Sequence, residues 1–342
     1  VEMRRREPDA AIFGLGGQRF MAGGGELLAD YRGLSVTGLV EALRVVPRSL
    51  SVLSRLIDAA RSEKPHALVV IDFPDFNFRL ASAAKKLGIP VVYYIGPQLW
   101  AWRKNRMRVI KRLADRVLVI FPFEEQIYRD AGVPVQFVGH PLVDLARAQE
   151  PADSFLRDVG LDRSRPIVAL LPGSRPNEVQ RLLPVMRDAA RRIAAEHPGA
   201  QFVIARAPSL DDGLFSNLTW DPAPVVALAR TDDVLAISDV AVTASGTATV
   251  QAALHGCPMV VVYRLSPLSY RLGRRFVHVD HVAMVNLIAG RRIVPELIQE
   301  DCTPANIAAE TLSFLNDPRR AREARVALAD VRSKLGGPGA SG

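Results

Sequence analysis

Cysteine is nearly absent: Cys257 and Cys302 are the only two in 342 residues. Two thiols cannot build a disulfide framework, and their spacing fits no metal-ligand pattern. A reducing cytoplasm is the expected compartment. Long apolar runs are missing too. The longest, such as "HALVVI" and "CPMVVVY", are strand-length, well short of the roughly 18 to 20 residues that a membrane-spanning helix needs. The opening "VEMRRREPDA" holds no apolar segment of the kind that directs secretion. There is no internal repeat and no low-complexity tract.

What is present suits a globular chain. The length accommodates two domains of ordinary size, and 49% hydrophobic residues supply a core for each. A formal charge of +8 attracts polyanions, a class that holds nucleic acids, anionic lipids and phosphorylated small molecules alike. Much of the charge is arginine, which a high-GC genome also produces without function.

Short runs rich in valine and isoleucine recur, each followed by a Gly, Pro or Asp turn and a helix-period segment. That alternation is expected of an α/β fold with doubly wound parallel sheets. Strands are expected in "DAAIFGLGG", "ALVVIDF", "PVVYYIG", "RVLVIFP" and "VQFVG", then in "PIVALLPGS", "AQFVIARA", "DVAVTAS" and "PMVVVYR". Between the two series lies a polar stretch without strand pattern. This divides the chain into a first domain over 1–145, a linker over 146–165, a second domain over 166–317 and a helical tail over 318–342, with a cleft between the domains.

In open α/β sheets ligands sit beyond the carboxyl ends of strands, so side chains exposed there are the first candidates for function. "IDFPDFNF", residues 71–78, ends an apolar strand in Asp72 and Asp75, with Pro74 between them. A carboxylate in that place suits general-base chemistry. The alternative, that Asp75 and Asn77 merely cap a helix starting near Phe78, is expected for Asp75; Asp72 lies too far upstream to cap.

"LLPGSRPNEV" runs a buried strand into Gly173, Ser174 and Arg175 before a helix. A Gly-Ser turn there offers unpaired N–H groups and the positive end of a helix dipole to an anion. Arg175 adds a fork suited to phosphate. The stretch lacks the Lys-Ser/Thr ending of a P-loop. A second turn of this kind, Ser245-Gly246-Thr247, sits in "DVAVTASGTATVQAALHGCPMVVVYR". Two such cradles in one domain suit a diphosphate better than a single phosphate.

Over residues 35–65, Leu39, Leu43, Val46, Leu50, Leu53 and Ile57 recur at helical steps with arginines between them. Such a face lies on anionic lipid or holds acyl chains, or else it is a core-packed helix pair interrupted at Pro47. "QLWAWRKNRMRVIKR" sets Trp100 and Trp102 beside Arg103 and further bases without an acid. Nucleic-acid stacking, a phosphate head-group patch and a solvated helix face all fit it. His140 in "FVGHPLVD" is a lone histidine, expected to be structural. His278 and His281 have no third ligand nearby, so no metal site is expected.

Together, "VIDFPDFN", "WAWR", "FPFE", "VGHPL", "LPGSR", "ASGTAT" and "NLIAGRRIVPELIQ" resemble, in order and spacing from about residue 10 to the end, the lipid-A-disaccharide synthases. The resemblance implies a GT-B glycosyltransferase with two Rossmann-like domains facing across a cleft, no cofactor and no metal. The donor is a UDP-sugar in the C-terminal half, and the acceptor a lipid against the N-terminal half. The family joins UDP-2,3-diacylglucosamine to 2,3-diacylglucosamine 1-phosphate (lipid X) with inversion, at the cytoplasmic face of the inner membrane. The partners implied are these two substrates and the anionic inner-membrane surface, not nucleic acid. The family's dimers exchange C-terminal segments, for which residues 318–342 are candidates.

By the same resemblance Asp72 is the base, and Arg175 with the helix starts at Gly173-Ser174 and Ser245-Gly246-Thr247 holds the departing UDP. Asn286 matches a position tied to activity. Asp75, Asn77, Trp100, Trp102, Arg103, Leu39 and Leu43 fall on the acceptor, phosphate or lipid side. Three departures stand out. The family's chains open with a further strand and a Gly-rich "GEASGD" loop ahead of the position of Val1, so an incomplete gene product is expected. Gln251 stands where glutamate is usual, a carboxylate that in related folds grips the ribose diol; weaker donor binding is expected, since charge-assisted bonds are the stronger ones. "GPQLWAW" replaces "SPSVWAW". Two other readings are a different GT-B enzyme acting on UDP-N-acetylglucosamine, and a non-catalytic binder of nucleotide sugar or lipid.

Overall fold

The computed structural model of the chain describes residues 2–31, 39–97, 106–215, 220–265 and 281–340. The chain divides into two compact units, Val1–His140 with Gly339–Gly342, and Pro141–Pro338.

The first unit holds β1 (Phe13–Gly16), β2 (Glu26–Asp30), β3 (Leu68–Ile71), β4 (Val91–Tyr94), β5 (Arg116–Val119) and β6 (Val135–Phe137). The last four form one sheet in the order β3-β4-β5-β6, all parallel, while β1 and β2 form a separate parallel pair. β3 is an edge of the four-stranded sheet, and its Val69 and Ile71 are exposed. The core gathers Val91, Tyr93, Val117 and Val119 from the sheet with Ala81, Ile110 and Tyr128 from helices over it.

The helix Leu39–Glu63 runs unbroken through Pro47, so the expected helix pair does not form. Proline forfeits a backbone hydrogen bond, but Val52 and Leu56 are buried and Leu53, Ile57 and Ala60 pack on the core. That burial carries the second half of the helix. Val46 and Leu50 nearer its start are exposed.

The second unit contains β7 (Ile167–Leu171), β8 (Gln201–Arg206), β9 (Val225–Leu228), β10 (Val240–Ala244), β11 (Met259–Tyr263) and β12 (Glu296–Ile298). They form one parallel sheet in the order β12-β11-β10-β7-β8-β9. Every residue of β7 and β10 is buried, which is why both read as continuous apolar runs. All nine expected strands are present. β2, β9 and β12 are additional; each is short and none is buried along its whole length, so no apolar run marks it.

Residues 146–165 carry the helix Ala152–Val159, which buries Phe155 and Leu156. Asp233 ties the approach to this helix into the unit. Its carboxylate accepts from the Gln149 N–H at 2.7 Å, the Glu150 N–H at 3.2 Å and Arg230 Nε at 2.7 Å. Arg230 also pairs with Glu150 and lies over the Phe155 ring. Burial pushes the Asp233 carboxyl up, but Arg230 and the two N–H groups outweigh it and hold it below its ordinary value. The helix Pro318–Lys334, capped by Asp317, buries Ala321, Ala324, Leu328 and Val331 within the same unit. Asp233→Ala strands two N–H groups and should cost about 2 to 3 kcal/mol. Hydrogen exchange should then accelerate in peptides spanning β7, β8 and β10 while those of β3 to β6 keep wild-type protection.

Candidate active site

In the first unit, chemistry concentrates where β3 ends. Asp72 and Phe73 both take left-handed backbone angles, φ 43° and 45°. Such angles cost non-glycine residues of order 1 to 3 kcal/mol each, and persist only where surroundings enforce them. The enforcement is visible. Asn77 is buried, and its Nδ2 donates to the Ile71 carbonyl at 3.1 Å and the Asp72 carbonyl at 2.6 Å. The Tyr93 hydroxyl donates to the same Asp72 carbonyl at 2.7 Å. Burial pushes that hydroxyl well above its ordinary value, so it remains a donor at neutral pH. The Asp72 side chain is exposed at the carboxyl end of β3.

The helix that follows spans Pro74–Lys86, with Phe73 at its N-cap and no side-chain cap. The capping role expected of Asp75 and Asn77 is therefore corrected. Asp75 lies in the first turn, where a carboxylate suits the helix dipole, and pairs with Arg106 at 2.6 Å. Asn77 holds the strained turn instead. Trp100, Trp102 and Arg103 lie outside the described residues, as do the side chains of Leu39 and Leu43 and residue His278. Of the basic stretch, the helix Met107–Leu113 buries Met107, Ile110 and Leu113 and exposes Arg108, Lys111 and Arg112.

In the second unit, β7 sits at the middle of the sheet, with β8 on one side and β10 on the other. This is the switch point of a doubly wound sheet, where the chain leaves neighbouring strands toward opposite faces and opens a crevice at their carboxyl ends. A cavity of about 100 Å³ lies there, lined by Arg175, Asn177, Glu178, Arg181, Leu182, Ala244, Ser245, Tyr263, Arg264 and Leu265. The turns after β7, β10 and β11 thus meet in one place. Gly173 takes φ +114°, and a Cβ on it would come within 2.5 Å of Glu178 Oε2. Only glycine fits. Glu178 accepts from the Ser174 N–H at 3.2 Å and from Arg175 Nη1 at 3.1 Å. Burial raises the Tyr263 hydroxyl, Glu178 adds to the rise, and Arg175 and Arg181 oppose it, so all three charges reach that phenol.

Ser245 reaches the cavity wall, but its hydroxyl donates to the Val282 carbonyl at 3.0 Å. Gly246 and Thr247 follow, exposed, at the start of the helix Thr247–Leu254. Gln251, one turn on, directs Nε2 at Asp232, 3.3 Å from Oδ1; His255 Nε2 is 3.0 Å from the same oxygen. A carboxylate is thus adjacent to Gln251 although it is not at that position.

Asn286 is fully buried. Its Nδ2 donates to the Val294 carbonyl at 3.0 Å and Glu296 Oε1 at 2.6 Å, and its oxygen accepts from the Ile293 and Val294 N–H groups. Every hydrogen-bonding valence of the amide is spent inside the protein. Glu296 in turn accepts from the Val282 and Ala283 N–H groups. Among the described residues, Asn286 is thus linked to the Ser245 turn through Glu296 and the chain at 282–283. His281 lies 3.9 Å from Glu296.

Glu178, Arg181, Tyr263 and Arg264 were not foreseen as site residues. The three-residue steps from Arg175 to Glu178 to Arg181 could have indicated one helix face. The convergence of Tyr263 and Arg264 on that face had no local signal, because it depends on β11 lying next to β10.

Solved structures share this fold. The kitacinnamycin glycotransferase aligns with TM-score 0.62 and 18% identity, covering 96% of this chain and 89% of its own. The UDP-GlcNAc 2-epimerase of Neisseria meningitidis, solved bound to UDP-GlcNAc, aligns with TM-score 0.59 and 14% identity over 92% and 85%. The fold is that of the GT-B enzymes. The sequence narrows the class: the model of the lipid-A-disaccharide synthetases matches residues 1–338. The synthase of Myxococcus xanthus is 45% identical over 99% of this chain and 89% of its own, and that of Anaeromyxobacter sp. (strain K) 48% identical over the same shares. The chain belongs to the lipid-A-disaccharide synthase family, the glycosyltransferases of lipid A biosynthesis. No helix among the described residues is long and apolar enough to cross a membrane.

His140, buried 5.1 Å from the Phe121 ring, has its pKa pushed down by burial from 6.5 to about 4. It is neutral in the folded protein, and between those values the unfolded chain binds the extra proton. Stability present above about pH 6.5 is therefore lost as pH falls toward 4, by up to about 1.4 kcal/mol per pH unit. His140→Gln should flatten the melting-temperature profile across that window and leave it unchanged above pH 7.

Proposed function

We propose that this chain transfers the diacylglucosaminyl group of UDP-2,3-diacylglucosamine to the 6-hydroxyl of 2,3-diacylglucosamine 1-phosphate with inversion. The acceptor oxygen attacks the anomeric carbon, the bond from that carbon to the diphosphate breaks, and UDP leaves. The hydroxyl proton passes to Asp72. The observation that carries this reading is the cavity at the switch point, where Arg175, Arg181 and Arg264 line the same walls as Ser245. Leaving-group charge there needs fixed donors more than flexible ones, and helix starts and guanidinium groups supply them.

The strained turn at Asp72 supports the base assignment, since strain of this kind concentrates at functional sites and two buried side chains are committed to maintaining it. In this reading Asn77 and Asn286 are positioning residues, the former for Asp72 and the latter for the Ser245 turn. Gly173, Ser174, Arg175, Ser245, Gly246, Thr247 and Gln251 belong to the donor side. Asp75, Trp100, Trp102, Arg103, Leu39 and Leu43 belong to the acceptor and lipid side. The first unit takes the acceptor and the second the UDP-sugar. The exposed Arg108, Lys111 and Arg112, with Val46 and Leu50, suit an anionic bilayer surface at the cytoplasmic face of the inner membrane. A homodimer through residues 318–342 completes the assembly.

Asp72→Asn removes the proton acceptor and leaves the second unit untouched. With both acylated substrates, product measured by mass spectrometry should fall at least about 100-fold, while UDP affinity stays within about twofold. Turnover within tenfold of wild type would refute the assignment.

A further inference from the structure

We propose that the donor cavity carries its own anion: the Glu178 carboxylate occupies the phosphate cradle of the Gly173–Arg175 turn, and the diphosphate of the donor displaces it. The inference rests on the reading of this cavity as the UDP site.

The Ser174 N–H and the Arg175 guanidinium are the groups that a cradle at this helix start offers to an anion. Both are already engaged, one by each oxygen of the same carboxylate. A carboxylate and a phosphate present similar pairs of oxygens to a guanidinium fork, so they are rivals for the same donors. Glu178 is the single acid on the cavity wall among the described residues. The vacancy at Gly173, which a Cβ would fill to within 2.5 Å of Glu178 Oε2, is the room that lets the carboxylate fold back onto the turn.

The contact is weak enough to yield. The Arg175 side chain is 64% exposed and that of Glu178 26%, and ion pairs so open to water hold only marginally. A ligand with two charged phosphates outbids a single carboxylate. Arg181 makes no hydrogen bond or ion pair among the described residues and lines the same cavity, while Arg264 is bonded to the Cys302 carbonyl, so release of Glu178 leaves the guanidinium groups of Arg175 and Arg181 open to two phosphates.

The rival explanation is that Glu178, third residue of its helix, only fastens the helix start as glutamate does in a capping box. The two differ in sign. If Glu178 competes, losing its reach tightens UDP; if it only fastens and orients, losing it weakens UDP. Glu178→Asp keeps the charge but is one methylene too short for the Ser174 N–H, whereas Glu178→Gln keeps the length without the charge. Titration calorimetry of UDP into the full chain at 0.05 and 0.5 M NaCl should show both variants binding about two- to fivefold more tightly than wild type. The gain should survive the higher salt, and uridine affinity should not change.

Weaker or unchanged UDP binding by Glu178→Asp overturns the proposal. A gain confined to Glu178→Gln that vanishes at 0.5 M salt does so too, because it reports charge acting at a distance. Should either variant fail to fold, a crystal structure of the wild-type UDP complex decides: Glu178 still bonded to the Ser174 N–H refutes displacement. Absence of UDP binding by wild type overturns the donor-site reading itself, and the displacement with it.

Discussion

The parallel pairing of β7 with β10 is the constraint on which the second unit depends. Two parallel neighbours end on the same side of the sheet, so the turns that leave them are forced together whatever their sequences. The first turn feeds the helix Pro176–Glu196 and the second the helix Thr247–Leu254. Each helix start brings partial positive charge to the shared space. The apolar composition of the two strands secures this arrangement, because a fully buried central strand has one place in the sheet. The chemistry at the strand ends is thus a consequence of packing some distance away.

The first unit solves a different problem. An edge strand must hand an exposed carboxylate to solvent in a fixed direction, and two consecutive left-handed residues achieve it at a cost in backbone energy. That cost is met by two buried side chains, Asn77 and Tyr93, which converge on one carbonyl. Amide and phenol are both neutral, so the clamp is insensitive to pH near neutrality. Phe73 stacks on Phe76 at 5.6 Å, which adds apolar packing beside the polar clamp.

Several polar residues that look alike in the sequence divide sharply in role once their hydrogen bonds are counted. Asn286 spends all its valences on the backbone near Val294 and on Glu296. Asp233 spends its carboxylate on two N–H groups and Arg230. Arg181 spends nothing among the described residues and lines the cavity. A buried polar group must be satisfied internally, whereas a half-exposed one has water as a partner. Asn286 thus holds, through Glu296, the segment whose carbonyl accepts from Ser245.

Local chemistry made much of this protein legible. The runs "PIVALLPGS" and "DVAVTAS" announced buried parallel strands, and the Gly-Ser turns after them announced the helix starts at Pro176 and Thr247, since both properties belong to a few adjacent residues. Seven motifs in order carried the family. What needed three dimensions was everything settled by neighbours distant in sequence: that Asn77 clamps a turn instead of capping a helix, that Asp232 comes to stand beside Gln251, and that Tyr263 and Arg264 join Arg175 around one cavity. The sequence encodes strands and turns through local preference, but side chains meet according to sheet order, and sheet order emerges only when the whole core closes.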